Sequence, residues 1–316
     1  MTRFGSIHDA AVPGVAVEIA ADRIAAAGLE WRGGQPVIAT HAVEPLADGA
    51  LVPSLTALNT QHRAVVAGTL GRVLERVGRP RRVGLIVPDV VAKVSLVRFE
   101  KVPARAQDLE QLIRWQVRKT APFPVEEAQV TFDTGLAGPD GQEFVVALSR
   151  RSVIEEYEGL CDEAGAHAGI VDLATFNVVN AVLAGASPPP GDWLLVSVGA
   201  DSASIAIIRG SHIIFYRNRT ADADETLVDL VHQSAMYYED RLKGAGFTRV
   251  VLAGAGAGDF EPVRRELEQR LTTTVTPIDP RGAAALTDRI AAAPSLLDTL
   301  APLVGLLLRD RDMSRA

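Results

Sequence analysis

The stretch that most constrains this chain is Trp193 to Arg219, WLLVSVGADSASIAIIRGSHIIFYRNR, in which three apolar, β-branched runs are separated by two tight turns. Leu194, Leu195, Val196 and Val198 form the first run, and Gly199 and Ala200 turn the chain. Ser204 to Ile208 resumes it, Arg209-Gly210-Ser211 turns it again, and Ile213 to Tyr216 completes an antiparallel meander. The first of these turns exposes backbone N–H groups in a glycine-containing bend, a geometry that can hold a phosphate. The same plan stands about 180 residues earlier. There Val15 to Ile19, an AADR turn, Ile24 to Glu30 and Pro36 to Val43 repeat the pattern, with Gly33-Gly34 at the second turn.

Between and after the meanders the periodicity changes. Leu55 to Val77 has helical spacing and closes at Gly78 and Pro80. Val83 to Val87 and Val94 to Phe99 read as strands. Ala104 to Thr120 reads as a helix with Leu109, Leu112, Ile113 and Val117 on one face, early acids and late bases. Two strands, Glu127 to Phe132 and Glu143 to Leu148, surround a Gly135 to Gly141 turn and precede a helix over Ser152 to Ala164. A helix follows over Leu173 to Leu183, and SPPPG at 187–191 reads as a linker. After the second meander come a helix over Asp224 to Lys243, the strand and glycine cluster VVLAGAGAG at 250–258, a helix at 260–271, and apolar terminal helices. In Ile290 to Leu308, Leu296, Leu300, Leu303 and Leu307 mark one helical face, and Gly305 allows a neighbour to approach closely.

Composition removes several classes. With 316 residues, 47% of them hydrophobic and 22% charged, the chain can bury one large core or two ordinary ones. A net charge of -7 gives no support for nucleic acid as a partner, since phosphate backbones are held by clustered Lys and Arg. Cys161 is the only cysteine, which rules out an intrachain disulfide and is expected to be a small buried apolar side chain. The six histidines have no metal-ligand spacing. The N-terminal residues lack the apolar stretch of a signal peptide. Ile290 to Leu308, interrupted by Pro294, Asp298 and Pro302, is not expected to span a membrane.

A duplicated meander, each copy followed by helix, with a late strand ending in glycines, resembles the actin-like ATPase superfold. That resemblance implies two hairpin turns facing each other across a nucleotide cleft, with Gly254 and Gly256 against the adenosine. The segment LIRWQVRKTAPFPVEEAQVTFD, 112–133, narrows it: a helix with a tryptophan, a Pro-Phe-Pro turn and an acidic lead into a strand resemble the PilM family of type IV pilus assembly, related to FtsA. EFVVALSRRSVIEEYEGLCDEAGAH, IVDLATFNVVNAV and LAPLVGLLLRD keep the family's order. The expected fold is therefore α/β, with actin-like (ribonuclease H-like) duplicated domains and an inserted α+β subdomain. Domain I takes 1–92, 167–190 and 297–316, the insertion 93–166, and domain II 191–296.

The resemblance implies a cytoplasmic adaptor, peripheral to the inner membrane through its partners. It would bind the N-terminal tail of a membrane-embedded, PilN-like subunit and contact the pilus assembly motor proteins. Arg114, Trp115, Arg118 and Phe123 are the candidate peptide-binding residues. A helical tryptophan is more often core than contact, and a phenylalanine between prolines also suits the pinning of a turn.

The cleft residues depart from the family. Its first turn reads Asp-Ile-Gly followed by hydroxyl residues, where this chain has Glu18, Ile19, Ala20, Ala21 and Asp22. Its second reads Asp-Ile-Gly-Ala-Thr, where this chain has Ser197, Val198, Gly199, Ala200 and Asp201. A carboxylate about 4 Å from a phosphate charge costs up to roughly 4 kcal/mol at an effective dielectric of 20. Two such acids and a lost metal-facing aspartate predict a degenerate cleft, and neither ATP nor magnesium is expected as a cofactor. The alternative is an active ATPase or small-molecule kinase using Glu18 as its metal-facing acid.

Overall fold

The computed structural model describes residues 12–185, 191–220, 226–254 and 260–309. The linker at 187–190 and the glycines Gly256 and Gly258 lie outside them. Chain order begins with the strands β1 (Val15–Ile19), β2 (Arg23–Arg32) and β3 (Gln35–Pro45). Helix α1 (Arg63–Arg76) and strand β4 (Arg82–Val87) follow. The insertion comprises β5 (Ala92–Phe99), α2 (Ala106–Arg118), β6 (Ala128–Gly138) and β7 (Gly141–Arg150); helix α3 (Arg151–Glu163) follows, and its Val153, Tyr157, Leu160 and Cys161 pack with α1 on β1 and β2 rather than on the core of the insertion. Strand β8 (His167–Leu173) and helix α4 (Ala174–Gly185) lead to the second meander, β9 (Asp192–Val198), β10 (Ser202–Arg209) and β11 (His212–Thr220). Then come α5 (Leu227–Leu242), β12 (Arg249–Ala253), α6 (Phe260–Leu271), β13 (Val275–Pro277), β14 (Ala285–Leu286) and α7 (Pro294–Leu308).

Two mixed sheets carry the duplication. The first runs β14-β3-β2-β1-β4-β8 and the second β11-β10-β9-β12-β13, so a meander continued by parallel strands recurs in the same order. A third, antiparallel sheet, β5-β7-β6, belongs to the insertion. Alternation along β1 and β2 divides the first sheet's side chains between two layers. Val17, Ile19, Ile24 and Ala26 pack on α1 and α3, while Ala16, Ala25, Ala27 and Ile86 pack on α7. In the second sheet Leu194, Val196, Ile205 and Ile207 face α5 and α6, and Trp193, Leu195, Ile208 and Val251 face α4 together with Ala301 of α7. The closely packed pair α4 and α7 is thus the filling between two sheets, and each sheet with its outer helices forms a lobe.

Three sequence expectations change. The helix expected from Leu55 begins only at Arg63. Residues before it form a loop closed by the fully buried Asn59, which accepts from Ser54 N and Tyr157 Oη and donates to the carbonyls of Ser54 and Ala57. The Glu156 carboxylate also takes the N–H groups of Asn59 and Thr60. Such side chain to backbone bonds offer the chain an alternative to the helical ladder. Second, α7 is buried all round from Leu300 to Leu308 rather than on one face, because it lies between two sheets; Val304 and Leu306, off the expected face, are as enclosed as Leu300. Third, β14 pairs in parallel with β3. The chain therefore rejoins the first sheet at residue 285, before the return expected at 297. Cys161 is buried as expected, and burial pushes its thiol up to about 12.

Candidate functional site

The turns β1–β2 and β9–β10 face one cavity of about 60 Å³ between the lobes, closed at its sides by the ends of β4 and β12 and by α4 and α7. Both turns are tight. Ala20 N donates to Arg23 O at 2.9 Å, and Gly199 N to Ser202 O at 2.7 Å, so the first amide of each turn is used within its own hairpin. The sequence-predicted residues Glu18, Ala20, Ser197, Gly199, Asp201 and Gly254 all line the cavity, whereas Asp22 flanks it through Arg23. Gly254 sits at φ +74°, where an added Cβ would meet the carbonyl of Val198, so the glycine is required. Its N–H is already given to Asp298 Oδ1 at 3.0 Å.

Carboxylates dominate the lining. Glu18 is 5% exposed, and Arg23 reaches back to it with Nη2 at 3.2 Å from Oε2. Nη1 of Arg23 meets Asp22 Oδ1, also at 3.2 Å. Asp89, at the end of β4, accepts from Thr175 N at 3.0 Å, Thr175 Oγ1 at 2.5 Å and Ser204 Oγ at 2.8 Å. Ser204 is itself joined to Tyr216 Oη and Asn218 Nδ2. This network ties the first lobe to α4 and to the second lobe. Sequence reading missed Asp89, which looked like a strand end. It also missed Asp298, whose signal was a lone acid inside an apolar helical run.

Burial raises the carboxyls of Glu18, Asp89, Asp201 and Asp298 above their ordinary values, partly opposed by Arg23 at Glu18 and by the Thr175 and Ser204 hydrogen bonds at Asp89. A carboxyl raised in the folded state stabilises the fold below its ordinary value, and that contribution is lost as pH rises through the raised one. The thermal midpoint is therefore expected to climb as the solution is taken from neutral toward the carboxylate range. The climb ends when acids held low, such as Asp279 beside Arg281, begin to protonate. Asp298→Asn keeps an acceptor for Gly254 and should flatten the climb. Thermal unfolding across this range measures it, and an unchanged slope would contradict the assignment.

The insertion gathers a second group. Leu109, Ile113 and Val117 of α2 pack on Phe144, Val146 and Leu148, which leaves Trp115 on the outer face, 56% exposed, with Lys119 Nζ 4.2 Å above its ring. The commoner core reading of Trp115 thus fails, because it lies opposite Ile113 and Val117 on the helix. Arg114 pairs with Glu110 at 3.0 Å and Arg118 with Glu126 at 3.8 Å. Phe123 is half-buried against the small core, with the Arg150 guanidinium 5.9 Å from its ring centre. Arg150, which sequence reading did not single out, also donates to the Thr56 carbonyl at 2.6 Å and to Glu127 at 2.9 Å. It joins the insertion to the loop of the first lobe, on which Val52 and Leu58 are exposed. Leu136 of β6 packs against the core of the second lobe, so the insertion touches both.

A duplicated meander, two sheets around a closely packed helix pair and a cleft between facing hairpins define an actin-like α/β protein. The chain matches the family described as Type IV pilus assembly protein PilM over residues 16–240, and it belongs to that family. Among solved structures it is similar to a PilM-PilN type IV pilus biogenesis complex, with 19% identity over 94% of this chain and 98% of that one and a TM-score of 0.79. More distant likenesses include the ethanolamine utilization protein EutJ from Carboxydothermus hydrogenoformans, 11% identical over 93% and 89% of the two chains with a TM-score of 0.49. Another is the cytoplasmic domain of EpsL, an inner membrane component of the type II secretion system of Vibrio cholerae, 11% identical over 95% and 94% with a TM-score of 0.48. Among the described residues no helix is long and apolar enough to cross a membrane.

Proposed function

We propose that this chain is a cytoplasmic adaptor of type IV pilus assembly, held at the inner membrane by its partners and in contact with the assembly motor. Its working surface is the groove between the first lobe and the insertion, and its ligand is the extended N-terminal tail of a PilN-like membrane subunit. Family membership supports the pilus role, and the similar solved complex contains such a pair. The observation that carries the groove is the Arg150 junction. There Phe123, Glu127 and the Thr56 carbonyl meet beside exposed Val52 and Leu58, offering an apolar wall and polar rim of the kind peptide grooves use. Phe123→Ala is expected to weaken a peptide copying the partner's tail about tenfold, equivalent to about 1.4 kcal/mol, measured by fluorescence anisotropy. A loss of thermal stability with unchanged affinity per folded molecule would overturn the groove.

The cleft is part of the same reading: it binds no magnesium triphosphate. A cavity of about 60 Å³ is well below the roughly 300–1,000 Å³ of small-molecule sites. Glu18, the acid an ATPase would need for its metal, is engaged by Arg23, and Gly254 N by Asp298. Asp201 lines the same cavity with Oδ2 buried and unpaired, and its carboxylate would repel a phosphate there. Titration with labelled ATP and magnesium is expected to show neither saturable binding nor hydrolysis above background. Turnover near an ordinary enzyme rate of about 1 s⁻¹ or more would favour the ATPase instead.

A further inference from the structure

Two polar atoms of the cleft lack partners, and they are complementary. Arg23 Nε, a donor, and Asp201 Oδ2, an acceptor, are each shut off from solvent without a hydrogen bond. They belong to the two facing hairpin turns and line the same cavity. Buried unpaired groups are uncommon because each forgoes its bonds to water and gains nothing in return. When the orphans are a cationic donor and an anionic acceptor across one gap, an arrangement that closes the gap satisfies both. Arg23 is held ready for it, with Nη1 and Nη2 fixed on Asp22 and Glu18. Asp201 has no side-chain partner of its own. Burial raises its carboxyl most, the charges of Asp89 and Asp22 add to this, and only its own backbone N–H relieves it. Asp22 belongs to the opposite turn, so the hairpins are already within electrostatic range. At the base of the cleft the lobes are already joined, where Asp89 accepts from Ser204 of the other lobe.

We propose that the two lobes rock together by forming a direct Arg23–Asp201 ion pair, so that the protein's own side chains bridge the cleft with no ligand between them. This rests on the reading of the cleft as one that holds no triphosphate, and it supplies what stands in its place. The closed arrangement gives the lobes a defined second state that needs no cofactor.

The test uses the full chain carrying spin labels at the exposed positions Asp48 of the first lobe and Glu266 of the second. Distances between the labels are measured by pulsed electron resonance in the parent, Arg23→Gln, Asp201→Asn and the double variant. The parent should show a short-distance population that either substitution removes. The double variant should match the single variants in its distances, and its thermal midpoint should change by less than the sum of the two single changes, as for residues that interact. Where Arg23→Gln fails to fold because Glu18 loses its partner, Asp201→Asn decides alone. Identical distance distributions in parent and Asp201→Asn, or additive changes in the double variant, would overturn the ion pair. A short population that ATP and magnesium abolish would support the pair and overturn the reading of the cleft instead.

Discussion

Gly305→Ala is expected to lower the thermal midpoint more than any other single methyl addition described here. The new Cβ would lie 1.7 Å from the carbonyl oxygen of Asn177, 2.6 Å from its carbon and 3.0 Å from Ala181 N. These are backbone atoms of α4, so no side-chain rotation relieves the clash, and the two helices must separate. Separation is resisted on both sides, since α7 supports the first sheet through Leu300, Leu303 and Leu306 and α4 supports the second through Val178 and Val182. Overpacking of a close-packed interior ordinarily costs about 1–3 kcal/mol. A backbone collision between two enclosed helices should reach or exceed the upper end, a fall of roughly 6–12 °C. Gly71→Ala is the control. It sits in α1 with nothing within 4 Å of an added Cβ, and gains about 0.5–1 kcal/mol of helix propensity. Scanning calorimetry that finds equal effects for the two would refute the packing argument.

Asp89→Ala is expected to cost about 2–4 kcal/mol, since hydrogen bonds to a charged acceptor are worth about 1.5–3 kcal/mol and buried donors left without one cost about 1–3 kcal/mol. The substitution strands Thr175 N at the start of α4 and Thr175 Oγ1, both enclosed, and leaves Ser204 Oγ with only Tyr216 and Asn218. It also cuts a bond that runs directly from one lobe to the other. The loss should therefore appear as broadened unfolding, with the lobes melting separately, rather than as a simple shift. Asp89→Asn keeps the volume but points an amide donor at donors, and should fall between. A sharp single transition within about 1 kcal/mol of the parent for Asp89→Ala would show that the network is not what joins the lobes, since so small a change is what a replaceable surface bond gives.

The parts of this molecule legible in its sequence are those set by local pattern. Two apolar meanders with glycine turns announced two equivalent sheets, and Leu109, Ile113 and Val117 announced the face α2 buries. Gly305 announced a close approach between helices. What stayed hidden depends on neighbours far along the chain. The loop before α1 follows from Asn59 meeting Tyr157 and Glu156, nearly a hundred residues on. Trp115 stands outward because Ile113 and Val117 take the inward face, and a helix with an aromatic beside its apolar stripe does not disclose on which side of the boundary it falls. In the cleft the sequence marked Glu18, Asp22 and Asp201 as acids foreign to a phosphate site. It did not mark Arg23 as the base among them, although hairpin pairing of Ile19 with Ile24 places residues 18 and 23 at the same end of the two strands. Asp89 was out of reach because its partners lie on α4 and β10.

The position of α7 also bears on how the molecule is made. The face of the first sheet formed by Ala16, Ala25, Ala27 and Ile86 is laid down early in the chain, and its cover, Leu300 to Leu308, is synthesised after every described strand. During translation only α4, through Ala181 and Ala184, shields part of that apolar face until α7 has left the ribosome, and strand β14 reaches the sheet edge only shortly before. The second lobe can assemble around α5 and α6 in the meantime, from residues that are contiguous. The lobe begun first is therefore the one completed last, and the nascent protein passes through a stage with one finished lobe and one half-open sheet, the period of its greatest exposure to aggregation.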